Sequence, residues 1–428
     1  MSTLINFTSM KKRNSALALL GGKAIIPKPP PRFIWPPITK EVEMAVVKQL
    51  HETISIYDRS NIFEDFENSF ASYHKRKYAL LCSSGTLAIH SMFVAAGFKE
   101  RDEVICPAYT FFATVSPLLS TGAVPVFCDA GENGNIDPRE IERKITKKTK
   151  GVVVTHMWGI PCEMDAIVKI CKKNKILLLE DCSHAHGARY GGNVVGSFGD
   201  LAAWSLQGQK NVTGGEGGIL VTDNDEFYYR ALLLGHYNKR CKQEIPKMHP
   251  LAKYAVTGMG LKYRAHPLAI AVARVMFKNM ENYLQVKDFF AEYIISNLQG
   301  TRGLRMPSLK SSVRPSWYAL VFQYHGEELG GLPIERFAEA LHAEGLIDVD
   351  LPGSTAPLNL LPLFQTPNEL FPNYSFSYAV GDFPRAEKFY KNAVKLPVWA
   401  FRKDKFVVNA YIKGIKKVLI HYKDLLNK

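Results

Sequence analysis

No CxxC pair occurs among the seven cysteines, which stand at 82, 106, 128, 162, 171, 182 and 241. Zinc-finger spacing is missing with it, and no metal site is expected. Most of these cysteines sit in apolar runs, as in Val104-Ile105-Cys106 and Val126-Phe127-Cys128. Buried, reduced thiols in a cytoplasmic protein are the plain reading. No apolar run reaches bilayer-spanning length, so no membrane partner is expected. Lys11, Lys12 and Arg13 precede Ala16 to Leu20, but that stretch is too short for a secretion signal and leads into Gly21-Gly22; it reads as part of the mature protein. Acidic residues are outnumbered, 40 against 54 Lys and Arg, which leaves a formal charge of +14. That balance attracts nucleic acid when it is concentrated. Here it is dispersed. Lys147, Lys148 and Lys150, then Lys172, Lys173 and Lys175, fall near the ends of predicted helices, where the helix dipole favours cations. No RNA-binding aromatic motif, internal repeat or low-complexity tract is present, and a nucleic-acid partner is not expected.

What is present is a long, apolar chain: 428 residues, 46% hydrophobic and 22% charged, enough for two packed domains. Residues 1–38 read as an arm, because Pro27, Pro29, Pro30, Pro31, Pro36 and Pro37 oppose helix. Phe33 and Trp35 predict that it docks on an apolar surface. Helices are predicted from about Thr39, with Val42, Val46 and Leu50 on one face, and around Phe63, Phe66, Phe70 and Tyr73. From 78 to 222, short apolar runs, many of them β-branched, alternate with helical stretches. The runs are Tyr78–Cys82, Glu103–Cys106, Ala123–Cys128, Gly151–Thr155, Ile176–Leu179, Ala202–Ser205 and Gly218–Thr222. This is the pattern of an α/β fold with a mostly parallel sheet and helices on both faces. A long helix is predicted over Pro267–Leu298, and further helices over Pro333–Glu344, Phe383–Val394 and Asp404–Leu425. The expected division is an arm over 1–38, a large domain over 39–295 and a smaller C-terminal α/β domain over 296–428. Residues 53–62 and 351–382 are expected to be substrate-facing loops.

Functional residues in such sheets gather beyond the carboxyl ends of strands. Ser83-Ser84-Gly85-Thr86 follows one predicted strand and opens a helix, the setting of a phosphate site or merely of an N-cap. Glu180-Asp181 ends another strand, and buried acids there need a partner: a protonated ring nitrogen, or, as a structural role, a helix cap or salt bridge. Lys210 follows Trp204-Ser205-Leu206-Gln207-Gly208-Gln209 and precedes Thr213-Gly214-Gly215-Glu216-Gly217-Gly218. Desolvation in that setting lowers a lysine's pKa and suits it to Schiff-base chemistry.

Taken in order, these segments resemble the DegT/DnrJ/EryC1/StrS family of pyridoxal-phosphate aminotransferases. The likeness spans nearly the whole chain. It takes in Gly21-Gly22, Phe66-Glu67, Ser84-Gly85-Thr86, Pro107 to Thr114, His156 to Asp165, Glu180 to Ala188, Gly196 to Asp200, and Ser205 to Gly218. The resemblance implies an aspartate-aminotransferase-like fold of type I and pyridoxal 5'-phosphate as cofactor. Lys210 would carry it as a Schiff base, and Asp181 would keep the ring nitrogen protonated. Phe111 would stack on the ring, while Gly85, Thr86 and Ser205 would hold the phosphate. His184 stands where many members have Gln beside the ring hydroxyl. Members form homodimers with shared active sites, in which an Asn of a Gly-x-Asn-x-Arg segment reaches the partner's phosphate. Here the segment reads Gly260-Leu261-Lys262-Tyr263-Arg264, and Lys262 is either a cation for that phosphate or a surface lysine. Asn359 stands where many relatives have His.

The implied reaction moves an amino group from L-glutamine or L-glutamate to a keto-cyclitol or keto-sugar. Gln207, the Leu-Leu-Gly-Gly start and Trp35-Pro36 resemble the cyclitol branch more than the nucleotide-sugar branch. Lys210 opposes the dehydrating branch that has His there. The competing readings are an eliminating relative that keeps the lysine, and a non-catalytic binding or regulatory protein on the same fold.

Overall fold

The computed structural model describes residues 15–426, so Lys11, Lys12 and Arg13 lie outside the described residues. All seven strand-like runs join one sheet. They are β1 (Tyr78–Cys82), β2 (Glu103–Pro107), β3 (Val124–Cys128), β4 (Thr149–Thr155), β5 (Leu177–Asp181), β6 (Leu201–Ser205) and β7 (Gly218–Thr222). Their order across the sheet is β1-β7-β6-β5-β4-β2-β3. Only β7 runs antiparallel to its neighbours; the β6-β5, β5-β4, β4-β2 and β2-β3 pairs are parallel. Register aligns Thr155 with Asp181 and Asp181 with Ala203, so the carboxyl ends of β4, β5 and β6 form one rim. Continuous apolar strands such as Val152-Val153-Val154 require cover on both faces, and both are covered.

Helix α1 (Lys40–Glu52) is capped by Thr39, and α2 (Asn61–Tyr73) buries Phe63, Phe66 and Phe70. On α1 the predicted stripe holds only in part: Val42 is buried, but Leu50 is exposed, because the inner face turns through Val42 and Gln49. Helix α3 (Gly85–Ala95) is apolar nearly all round and lies buried on β6 and β7. The long helix α4 (Pro267–Leu298) carries α1 and α2 on its first part.

Its last turns enter a second apolar cluster with Phe290, Ile294 and Leu298. This cluster surrounds a three-stranded antiparallel sheet of β8 (Leu304–Arg305), β9 (Leu320–Tyr324) and β10 (Ala393–Leu396), in the order β8-β9-β10. Helices α5 (Ile334–Ala343), α6 (Pro384–Asn392) and α7 (Lys405–Ile420) accompany it. The arm docks as its aromatics predict: Phe33 meets Trp399 edge-on at 6.1 Å, and Trp35 meets Tyr283 edge-on at 5.4 Å. All seven cysteines are buried and free. Among the described residues no helix is long and apolar enough to cross a membrane.

Candidate active site

A cavity of about 570 Å³ opens at the rim formed by the carboxyl ends of β1, β4, β5 and β6. It collects Gly85, Thr86, Phe111, Asp181, His184, Ser205 and Lys210 from segments far apart in the chain. Lys262 is not among its lining. That residue is exposed on the loop before α4, in a bridge with His236.

One end of the cavity is built to take an anion. Ser84 caps α3, its hydroxyl accepting from the Leu87 N–H at 3.2 Å, and the N–H groups of Gly85 and Thr86 in the same turn remain for a ligand. Gly85 is required by proximity: a Cβ there would lie 2.5 Å from the Ser205 Cβ and 2.7 Å from its Cα. The Thr86 and Ser205 hydroxyls sit beside this turn.

The floor is acidic and rigid. Asp181 ends β5 and is 3% exposed. One carboxylate oxygen accepts from the Thr114 hydroxyl at 2.6 Å and the other from the Ser183 N–H at 3.0 Å. Thr114 in turn belongs to a chain of buried hydroxyls with Thr110 and Thr155. Glu180, its neighbour in sequence, points the other way and serves the fold. Its carboxylate accepts from the N–H groups of Gly196, Phe198 and Gly199 and contacts His156 at 3.2 Å. These bonds hold the Glu180 carboxyl below its ordinary range despite full burial.

Lys210 reaches the cavity from the turn after β6. Burial pushes its ammonium down to about 8, against the Asp181 carboxylate, which holds it up. Its amine lies 4.6 Å from the centre of the Tyr318 ring. Its backbone is held from behind. Its N–H donates to the Gln207 carbonyl, and its carbonyl accepts from the Trp35 indole N–H at 2.9 Å. The next residue, Asn211, accepts from the Lys287 ammonium at 2.7 Å and donates to the Ser316 carbonyl at 2.7 Å.

An aromatic wall completes the enclosure. His184 stacks on Tyr318 at 4.1 Å and on Trp158 at 5.6 Å. The His184 Nδ1 is buried with no partner in the protein, and burial followed by the Lys210 charge pushes its imidazolium well down. A neutral imidazole with a free nitrogen beside a lysine and an acid awaits a polar ligand atom. Phe111 is 36% exposed, presenting its ring to the opening. An anion-binding turn, a fixed carboxylate, an orphaned imidazole and an available aromatic face together fit a flat, phosphorylated heteroaromatic ligand.

Trp158, Tyr318, Asp350 and Lys395 also line the cavity and were not read from the sequence. Trp158 lies inside a segment singled out there, and its left-handed backbone (φ 58°) before Gly159 marks it only in three dimensions. Of the two expected substrate loops, residues 351–355 line the cavity and 53–62 do not. The rest of the later loop is structural. Tyr374 donates to the carbonyls of Leu119 and Ala123, Tyr378 donates to that of Pro125, and Asn359 is buried, donating to Ala379 and Glu387.

Comparison with known proteins agrees with this arrangement. The model of the DegT/DnrJ/EryC1/StrS aminotransferase family matches residues 37–409. A Micromonospora echinospora protein named "Putative L-glutamine:3-amino-2,3-dideoxy-scyllo-inosose aminotransferase" is 30% identical over 388 residues, 89% of this chain and 88% of that protein. The GDP-perosamine synthase of Escherichia coli O157:H7 is 33% identical over 266 residues, 62% of this chain and 71% of the synthase. Among solved structures, an aminotransferase from Psychrobacter cryohalolentis superposes with a TM-score of 0.79 at 25% identity, covering 93% of this chain and all of that one.

Proposed function

Because this chain belongs to the DegT/DnrJ/EryC1/StrS aminotransferase family and is a pyridoxal-phosphate-dependent aminotransferase, we propose that it moves an amino group from L-glutamine or L-glutamate to a keto-cyclitol or keto-sugar. The observation that carries this reading is the meeting of a rigidly held strand-end carboxylate, Asp181, with the low-pKa amine of Lys210 in one cavity. The bound cofactor supplies an electron sink for the carbanion left when a substrate Cα–H is broken.

In this reading each residue acts on a stated atom. Asp181 keeps the proton on the ring nitrogen, and Thr114 and Ser183 keep Asp181 in place. Lys210 would hold the cofactor and then, as a free amine, accept the proton from the donor Cα and pass it to the cofactor carbon that takes over the amino group. The first turn of α3, with Gly85, Thr86 and Ser205, holds the phosphate. Phe111 would stack on the ring, and the free nitrogen of His184 would serve the ring hydroxyl. Large domain, small domain and arm, divided near 38 and 295, enclose the site between them.

A homodimer belongs to the same proposal. Met44, Val47 and Leu50 form an exposed apolar row on α1, continued by Ile54 and Tyr57. Val256, Met259 and Leu261 are exposed on the loop that carries Lys262. Apolar patches of this extent mark interfaces, and a second copy seated there would carry Lys262 toward the neighbouring phosphate. The donor relative's name supports glutamine and a cyclitol, and the synthase's name supports a sugar; the cyclitol is preferred on Gln207 and the Trp35-Pro36 arm.

The test is the visible absorption of the purified, cofactor-loaded protein while L-glutamine is added. Loss of the cofactor's visible band with release of the corresponding keto acid is expected, as is reversal on adding a keto-cyclitol. A band unmoved by both donors would overturn the transfer reading, and Lys210→Ala with full turnover would overturn the role of Lys210.

A further inference from the structure

The cavity has a charged outer side that none of these roles uses. Strand β10 alternates: Val394 and Leu396 enter the core of the small sheet, while Lys395 stands on the opposite face, against Val321 of β9. That face otherwise joins the apolar cluster of the large sheet, through Val321, Ala319 and Ala393. A lysine on it is out of place as packing. Its side chain lines the cavity instead, and among the described residues Lys210 and Lys395 are the two Lys or Arg side chains that do so. The acids of the lining are Asp181, Glu216 and Asp350.

Lys395 is anchored from behind. Its N–H donates to the Asp350 carbonyl at 2.8 Å, and its carbonyl accepts from the Asp350 N–H at 3.0 Å. Its ammonium also contacts the Asp350 carboxylate at 2.6 Å. The two partners differ in their surroundings. The Asp350 side chain is 58% exposed and that of Lys395 only 29%. A partly exposed ion pair of this kind contributes little. The carboxylate can turn to water at small cost, whereas the lysine stays at the cavity wall.

We infer that Lys395 is the receptor for the α-carboxylate of the amino donor, with Asp350 as the resident anion that the donor displaces. The inference rests on the amino-acid donor proposed above. An amino acid brings one carboxylate bonded to the carbon whose proton must move. That carboxylate needs a cation apart from Lys210, whose amine acts on the proton. A neutral keto-cyclitol makes no such demand, so one cavity can accept both partners in turn. The anion-binding turn of α3 lies at the strand rim, and Lys395 comes from the small sheet, so the two anionic groups are given separate places.

The two residues have opposite expected effects, which a merely structural pair would not show. The measurement is the donor dependence of the visible-band loss in the cofactor-loaded protein, comparing L-glutamine with L-glutamine α-amide, which lacks the carboxylate. In the unaltered protein the acid should bind about tenfold or more tighter than the amide. In Lys395→Gln that ratio should fall to within about twofold, and Lys395→Arg should keep most of it. Asp350→Asn should tighten the acid about threefold by removing the competing anion. A ratio that survives in Lys395→Gln, or Asp350→Asn weakening the acid as Lys395→Gln does, overturns the inference. A band in the unaltered protein that responds to neither compound nor to L-glutamate removes the donor reading itself, and the inference with it.

Discussion

The reactivity of Lys210 can be tested without any substrate. In protein stripped of cofactor, its ammonium should titrate near 8, more than two units below the ordinary lysine value of about 10.4. At pH 7.5 about a quarter of the Lys210 amines are then neutral, against roughly one in a thousand for an ordinary lysine. The physical cause is desolvation by the cavity walls, opposed by the Asp181 carboxylate. Trace labelling with acetic anhydride across a pH series, read peptide by peptide in a mass spectrometer, reports the titration midpoint of each reachable lysine. The surface lysines of the same chain are the internal standard. Asp181→Asn should move the Lys210 midpoint lower still, because it removes the charge that favours the ammonium form. A Lys210 midpoint near 10.4, or one that rises in Asp181→Asn, would refute the reasoning that burial sets this amine's chemistry.

Three further outcomes are expected. Gly85→Ala drives a Cβ into the Ser205 backbone and should abolish retention of pyridoxal phosphate on gel filtration while the fold, followed by circular dichroism, survives. Thr114→Val removes the hydroxyl that orients Asp181 and should slow the donor half-reaction about tenfold, the usual loss for a bond to a charged group; an unchanged rate would show that the Ser183 N–H suffices. Lys287 is 3% exposed and donates only to neutral groups, the Asn211 side chain and the Trp317 carbonyl, so burial pushes its ammonium down to about 7. The unfolded chain therefore binds the extra proton between pH 7 and about 10.4, and stability should climb with pH through that window by up to about 5 kcal/mol. Lys287→Met should flatten that climb in urea titrations at pH 7 and 9.5, and an equally steep climb in the variant would exclude Lys287 as its source.

Much of the frame was legible because its signals are local. Each of the seven strand runs is a short apolar segment with a turn or helix signal on either side, and each became a strand of the large sheet. The strand ends then indicate where Gly85, Asp181, Ser205 and Lys210 must meet, because a mostly parallel sheet puts its carboxyl ends on one rim. The small sheet gave no comparable signal. The predicted helix over Phe383–Val394 stops at Asn392, and β10 begins at the next residue with no glycine or proline between them. Lys395 was therefore invisible as a cavity residue, since its direction depends on a strand that the pattern did not announce. The exposed Leu50 has the opposite cause: a helical stripe says which residues share a face, not which of two faces the core takes.

The aromatic wall was hidden for a different reason, and its geometry suggests why the site is arranged as it is. Trp158 and Trp317 both have left-handed backbones, φ 58° and 50°, which bulky residues adopt only at a cost. The two strained segments are joined. The Ser316 N–H donates to the Gly159 carbonyl at 2.9 Å, the Ser316 hydroxyl donates to the His184 carbonyl at 3.0 Å, and the Asn211 amide donates to the Ser316 carbonyl. Gly159 allows this approach, since a Cβ there would stand 2.7 Å from the Ser316 hydroxyl oxygen. One residue of the segment after α4 thus ties the turn of Trp158, the turn of His184 and the residue next to Lys210 into a single node. Tyr318, next after Trp317, lies against both His184 and the Lys210 amine. If Lys210 and His184 both serve one bound ring, as proposed above, they must be fixed relative to one another, and three separate turns meeting at Ser316 fix them more rigidly than any one turn could.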